Sequence, residues 1–125
     1  FGIELTAKNI IRPADGSKFE TIIGDPGDGQ SPSCSIHDEY HEHDDDSQVE
    51  TMQTGMGARK QPMQVIITTA GYNLAGPCYA SIREEREKLA GIGCEGGVFP
   101  LDHETFFVEY TIDEDDDWKS VEALR

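Results

Sequence analysis

The stretch MQVIITTAG at 63–71 constrains this chain most. Val65, Ile66 and Ile67 are consecutive and β-branched, a run that suits a strand buried on both faces, and Gly71 stops it. Downstream, NLAGPCYASIREEREKLAG reads as a helix. Asn73 can cap it, Pro77 is tolerated near its start, and Ala75, Cys78, Ile82 and Leu89 share a stripe, with Gly91 suited to the C-cap. Upstream, SQVETMQTGMG reads as a second helix. Ser47 and Glu50 have capping-box spacing, Val49, Met52 and Met56 fall on one face, and Gly55 and Gly57 would end it.

Two weaker strands complete the pattern. CSIHDE precedes the second helix, and TFFVEYTI follows the first one, with Phe106, Val108, Tyr110 and Ile112 alternating with Phe107, Glu109 and Thr111. The order strand, helix, strand, helix, strand favours an α/β fold with a largely parallel sheet flanked by helices. Before it, KNIIRPADGSKFETIIGD reads as two short strands around the turn PADGS, followed by the loop PGDGQSPS.

With 125 residues the chain has room for one domain and one core. Its net charge of −15 argues against this surface gripping nucleic acid by itself, because phosphate binding relies on Lys and Arg. The acids cluster at 38–46 and 113–117, which puts much of the charge on two loops. Cys34, Cys78 and Cys94 are odd in number and widely spaced, so they form no CxxC pair and no disulfide framework. No apolar run approaches the roughly 20 residues of a membrane span. The opening FGIELTAKN has neither Met nor a signal-peptide pattern, and reads as an internal start.

The chemistry concentrates in SIHDEYHEHDDD at 35–46. His37, His41 and His43 beside carboxylates could bind zinc or nickel, but HDEYH is not HExxH, and a fortuitous surface cluster is the preferred reading. Asp44, Asp45 and Asp46 read as a solvated run. Asp38 and Glu39 differ, because they stand at the C-terminal edge of a candidate strand, where open parallel sheets place their ligands. Adjacent Asp and Glu there suit nucleotide hydrolysis, with one carboxylate holding Mg²⁺ while its neighbour orients the attacking water. GIGCEGG contains a literal GxGxxG at Gly91, Gly93 and Gly96, yet it follows a helix and runs into VFP, so it reads as a connection. Asp102 and His103 lack a nucleophile in fitting context and read as loop.

Two strings in order now point further. DEYHEH at 38–43, followed by TGMGARKQPMQVIITTAGYNLAGPCY at 54–79, strongly resembles the large subunit of tailed-phage terminases. DGQSPS before them and TFFVEYTIDEDDDWKSVEAL near the end resemble that family too, so the resemblance covers the chain from about Asp28 onward. It implies a partial P-loop NTPase domain of the ASCE type. Residues 1–112 would be the C-terminal part of the ATPase domain, and 113–125 an acidic linker with the start of a following helix. DEYHEH would be the Walker B end and TTAG the coupling motif on the next strand.

Carried over residue by residue, Asp38 would help coordinate Mg²⁺ and Glu39 would be the catalytic residue that activates water. Thr68, Thr69, Ala70 and Gly71 would couple the γ-phosphate state to motor movement, and a hydroxyl-bearing strand end suits such a sensor. Thr68 and Thr69 also read as ordinary β-branched strand residues. Arg59 would be a candidate trans arginine finger, although a surface arginine in a basic loop beside Lys60 is the preferred reading. The implied cofactors are ATP and Mg²⁺ in the full-length protein, with none held tightly by this segment. The implied partners are viral DNA, the small terminase subunit and the portal, in a homo-oligomeric ring within the bacterial host's cytoplasm and away from membranes.

Two departures stand against the family pattern. Cys34, Ser35, Ile36 and His37 occupy positions where Walker B carries four apolar residues, and no GxxxxGKS/T occurs anywhere. The expectation is therefore an excised or truncated middle of a terminase, inactive alone. The alternatives are a catalytically inactive prophage remnant, an acidic interaction or scaffold domain, or a metal-binding protein using the His/Asp cluster.

Overall fold

A computed structural model of the chain describes residues 2–24, 27, 29–90 and 104–111. The chain divides into two compact units, Phe1–Ile82 and Arg83–Arg125. The first opens with an antiparallel meander of three short strands, β1 (Glu4–Leu5), β2 (Asn9–Arg12) and β3 (Ser17–Glu20). The β2–β3 pair is the hairpin expected around PADGS. Gly16 takes the left-handed conformation at φ 71, and its N–H donates to the Arg12 carbonyl at 3.0 Å. Asp15 accepts the Ser17 N–H at 3.0 Å and pairs with the Arg12 guanidinium at 2.6 Å. The hydrogen bonds from Ser17 come first in holding the Asp15 carboxyl below its ordinary value. The sequence reading does not anticipate β1. Thr6 forms its turn, exchanging backbone and hydroxyl hydrogen bonds with Asn9 at 2.9 to 3.2 Å.

Two further strands, β4 (Cys34–His37) and β5 (Met63–Ile66), pair in parallel with His37 opposite Ile66. Parallel strands need a crossover connection, and α1 (Ser47–Gly55) with a 3₁₀ turn at Met56–Ala58 provides it. α2 (Pro77–Leu89) follows β5. Asn73 begins its lead-in turn, its Oδ1 accepting the Ala75 N–H at 3.2 Å.

The core lies where α1 meets the strand pair. Met52 and Met56, one helical turn apart, are buried with Tyr40 and Cys78, and Val49 is half-buried. Ser35 and His37 are the inward-facing residues of β4. From β5, the Gln64 amide donates to the Val49 carbonyl at 3.0 Å and ties the helix down. The start of α1 differs from the expected capping box. Asp46 occupies the cap position without a side-chain bond, and Asp45 Oδ1 instead accepts both the N–H and the hydroxyl of Ser47. Asp45 is exposed yet has a local task, and the Ser47 hydrogen bonds hold its carboxyl below the ordinary range.

Several expectations need correction. Among the described residues the parallel sheet has two strands and a separate three-stranded meander is antiparallel, so parallel pairing makes up the smaller share of the strands there. Among the described residues the fold is mixed α/β with a small parallel sheet and two α-helices. β5 is not covered on both faces: Ile66 is 42% and Ile67 53% exposed. Its apolar run requires burial, but β4 is its one paired neighbour among the described residues. In the α2 stripe only Cys78 is buried, and Leu89 is exposed.

In the second unit, residues 105–111 form no strand, and Phe106, Val108 and Tyr110 are exposed. Alternation prepares a face, whereas a hydrogen-bonded neighbour makes a strand. Arg86 grips Glu109 through both guanidinium nitrogens, Nε at 2.8 Å from Oε2 and Nη2 bonded to Oε1. That pairing lowers the Glu109 carboxyl. Gly91 and the GxGxxG stretch, Asp102 and His103, Ile112 and the acidic 113–125 segment lie outside the described residues, as does the expected boundary at 112/113.

Candidate functional site

β4 and β5 run in parallel and end level, so whatever follows each strand emerges at one edge. Beyond the ladder the two chains stay zipped: the Ile67 N–H donates to the His37 carbonyl at 2.8 Å, and the Tyr40 N–H to the Ile67 carbonyl at 3.3 Å. Asp38 and Glu39 leave β4 here, and Thr68, Thr69, Ala70 and Gly71 leave β5 beside them. The structure therefore brings the two predicted groups to the same edge.

Glu39 has a left-handed backbone at φ 51, ψ 46, the one such non-glycine among the described residues. Asp38 supports it, accepting the Glu39 N–H on Oδ1 at 3.0 Å. Both carboxylates are exposed. A 3₁₀ turn at Tyr40–Glu42 follows, and Tyr40 pins it by burying its ring against His43, centroid to centroid 5.1 Å. Burial pushes the Tyr40 phenol up, opposed by a hydrogen bond with Ser81.

His41 joins the two halves of the edge. Its backbone N–H donates to Thr68 Oγ1 at 3.0 Å, and its ring Nδ1 lies 3.1 Å from the same oxygen. Nδ1 is also 3.4 Å from Thr69 Oγ1 and 3.3 Å from Glu39 Oε2, while Nε2 is 3.1 Å from Glu42 Oε1. Gly71, at φ 55, packs so closely that a Cβ there would stand 2.5 Å from His41 Cβ. The Thr68 hydroxyl donates to the Thr69 carbonyl at 3.0 Å and lies 3.5 Å from Cys78 Sγ. Sequence reasoning weighed His41 as a metal ligand or, preferably, as part of a fortuitous surface cluster, and gave it no role of its own within DEYHEH. Its link to Thr68 needs the β4–β5 register, for which the sequence carries no local signal.

The three histidines part company. His37 is buried, with Nε2 3.2 Å from Ser35 Oγ and 3.3 Å from the Gln64 amide. Burial, then the nearby His43, pushes its pKa down. His41 turns to Thr68, while the His43 ring meets Tyr40 edge to face at 5.1 Å and the His37 ring at 6.3 Å. Among the described residues no group of three or more His, Cys, Asp or Glu side chains is placed to hold a metal by itself. Arg59 is at the other end of the strand pair, ahead of β5. There its Nε donates to the Ser31 carbonyl at 2.9 Å and its Nη2 bonds the same oxygen, away from its own chain's Asp38 and Glu39.

Comparison with known proteins adds a family to this geometry. Residues 7–87 match the family model described as the terminase large subunit, ATPase domain. The protein YmfN of Escherichia coli (strain K12) is 52% identical over 99 residues, covering 79% of this chain and 20% of that protein. The chain thus spans about a fifth of the length of that curated relative. No solved structure matches.

Proposed function

This chain belongs to the terminase large subunit ATPase-domain family, and from that premise we propose that it is part of an ATP-hydrolysing motor that drives viral DNA packaging. The observation that carries the reading is the shared edge, where Asp38 and Glu39 at the end of β4 meet Thr68–Gly71 at the end of β5. On this reading, DEYHEH is the Walker B end and TTAG the coupling motif of a P-loop fold.

The donor set suits Mg²⁺. That ion takes one or two carboxylates and completes its shell with waters and substrate phosphates, so an exposed Asp without a surrounding ligand cage is an apt partner. Asp38 would hold the ion beside ATP. When bound, Mg²⁺ neutralises charge developing on the phosphate oxygens. Glu39 orients the attacking water and accepts its proton, with its backbone fixed by Asp38. Thr68 and Thr69, hydroxyl-bearing and hydrogen-bonded into the same edge, respond to loss of the γ-phosphate, and Ala70 and Gly71 carry the change along the chain. The 125 residues contain no GxxxxGKS/T, so the phosphate cradle belongs to elements outside them.

Arg59, turned away from its own edge, is the candidate finger for a neighbouring copy in a ring. With a net charge of −15, DNA contact belongs to other parts of the full-length assembly, which would also meet the small subunit and the portal in the host cytoplasm. Among the described residues no helix is long and apolar enough to cross a membrane. One observation favours a second reading, an inactive prophage remnant or acidic interaction module: β4 reads Cys-Ser-Ile-His where a buried strand is apolar throughout.

Substitution of the two acids in the full-length protein decides between them. Glu39→Gln should lower ATP turnover by about 10² to 10⁴-fold while leaving nucleotide binding intact. Asp38→Asn should also weaken Mg²⁺-dependent binding. DNA packaging by Glu39→Gln at near the parental rate would remove Glu39 as the water-orienting group. A parental protein that neither turns over ATP nor packages DNA would sink the motor reading and put the second one ahead.

A further inference from the structure

We propose that His41 is a positioning residue, which ties the Glu39 carboxylate to the Thr68–Thr69 strand end so that a shift at one is felt at the other. The proposal rests on the reading of Glu39 as the water-orienting group.

The geometry gives one imidazole nitrogen three neighbours, of which Thr68 Oγ1 and Glu39 Oε2 are nearer than Thr69 Oγ1 at 3.4 Å. The Thr68 hydroxyl donates its hydrogen to the Thr69 carbonyl at 3.0 Å. Toward His41 it is therefore an acceptor, and it already receives the His41 backbone N–H at 3.0 Å. A hydrogen on Nδ1 then faces Thr68 Oγ1 at 3.1 Å and Glu39 Oε2 at 3.3 Å. One N–H cannot serve both acceptors fully, so withdrawal of the Thr68 oxygen releases that hydrogen to Glu39, and its return draws it back.

The ring is held for this task. Its side chain is 15% exposed, and Gly71 backs onto Cβ with no room for a methyl group. Glu42 Oε1 stands 3.1 Å from Nε2, a contact that is a hydrogen bond when Nε2 carries hydrogen as well as Nδ1. Thr68 itself borders the buried Cys78, 3.5 Å from its sulfur, so a change at the strand end has a packed neighbour to push against. His41 touches neither the attacking water nor a phosphate in this scheme. It acts through Glu39.

Isosteres separate positioning from packing. The Asn amide nitrogen falls where Nδ1 stands, and the Gln amide where Nε2 stands. The complete protein carrying this segment, with ¹³C-methyl threonine, is compared in its parental, His41→Asn and His41→Gln forms, reading the Thr68 and Thr69 methyl resonances and the kcat and KM for ATP with Mg²⁺. His41→Asn should keep both resonances and hold kcat within about threefold, whereas His41→Gln should displace both and lower kcat by about tenfold or more at unchanged KM, the scale of one lost charge-assisted hydrogen bond. From the strand side, the Thr69 methyl resonance and kcat are the readouts. Thr68→Val should behave as His41→Gln, Thr68→Ser, which keeps the hydroxyl, should lose less than Thr68→Val, and the Val and Gln losses should not multiply when combined. The threonine variants carry the test if a histidine variant fails to fold. Equal effects of Asn and Gln on both readouts, or multiplying losses in the double variant, overturn the proposal. Full turnover by Glu39→Gln overturns the reading of Glu39 as the water-orienting group instead, and the methyl comparison still tests the contact.

Discussion

Gly71 is where a single methyl group has the largest effect. Its φ of 55 is strained for any residue with a side chain, and the added carbon would fall 2.5 Å from His41 Cβ. Gly71→Ala should therefore cost about 1 to 3 kcal/mol, measured by denaturant unfolding, and displace the His41 ring. An unchanged midpoint would mean that the two strand ends are not in contact. His37 adds a pH dependence with a defined sign. Burial lowers its pKa in the folded state from the ordinary 6.5, so the unfolded chain takes up the proton first. Stability should be complete above that value and fall as the pH drops through the depressed folded pKa, and His37→Gln should flatten the decline. An equal decline in the variant would remove His37 as its source. At this scale the sequence displayed Asp38 and Glu39 openly, because paired acids after a strand are visible in one dimension. His41 was hidden, because Thr68 lies 27 positions away and only the register brings them together.

For the helices and strands, the test case is Gly55. Alanine inside a helix normally gains about 0.5 to 1 kcal/mol over glycine. Here the Cβ would meet the Gln30 carbonyl oxygen at 2.2 Å, a backbone atom that cannot swing aside. Gly55→Ala should thus destabilise by about 1 to 3 kcal/mol, while Gly57→Ala, with open space around it, should be neutral or slightly stabilising. A thermal melt of both variants settles the contrast, and a stabilised Gly55→Ala would sever α1 from the 30–32 loop. The elements that could be read in advance are those governed by their own residues. PADGS makes its turn through Gly16 and Asp15, and α1 hides Met52 and Met56 as its spacing requires. What could not be read depends on neighbours. Ile66 and Ile67 look buried in the sequence and are exposed, and the alternation at 105–111 meets no partner strand among the described residues.

At the scale of the whole molecule, each unit leaves large apolar side chains open, Ile23 and Leu74 in the first and Tyr110 in the second. The isolated 125-residue chain should neither bind ATP tightly nor hydrolyse it, since it has no GxxxxGKS/T to supply the backbone N–H groups and lysine that hold phosphates. Calorimetric titration with ATP and Mg²⁺ should give no heat of micromolar binding, and such a heat would show that another element cradles the nucleotide.

The parallel pairing of β4 with β5 also has a consequence in time. The meander joins residues a few positions apart and can close as soon as they are made, whereas His37 must wait for Ile66. Closing the longer loop costs entropy before any ladder bond forms, so the parallel pair comes late. During synthesis, a ribosome that has not yet released Ile67 presents Asp38 and Glu39 with nothing beside them, and the edge comes into being only when β5 arrives.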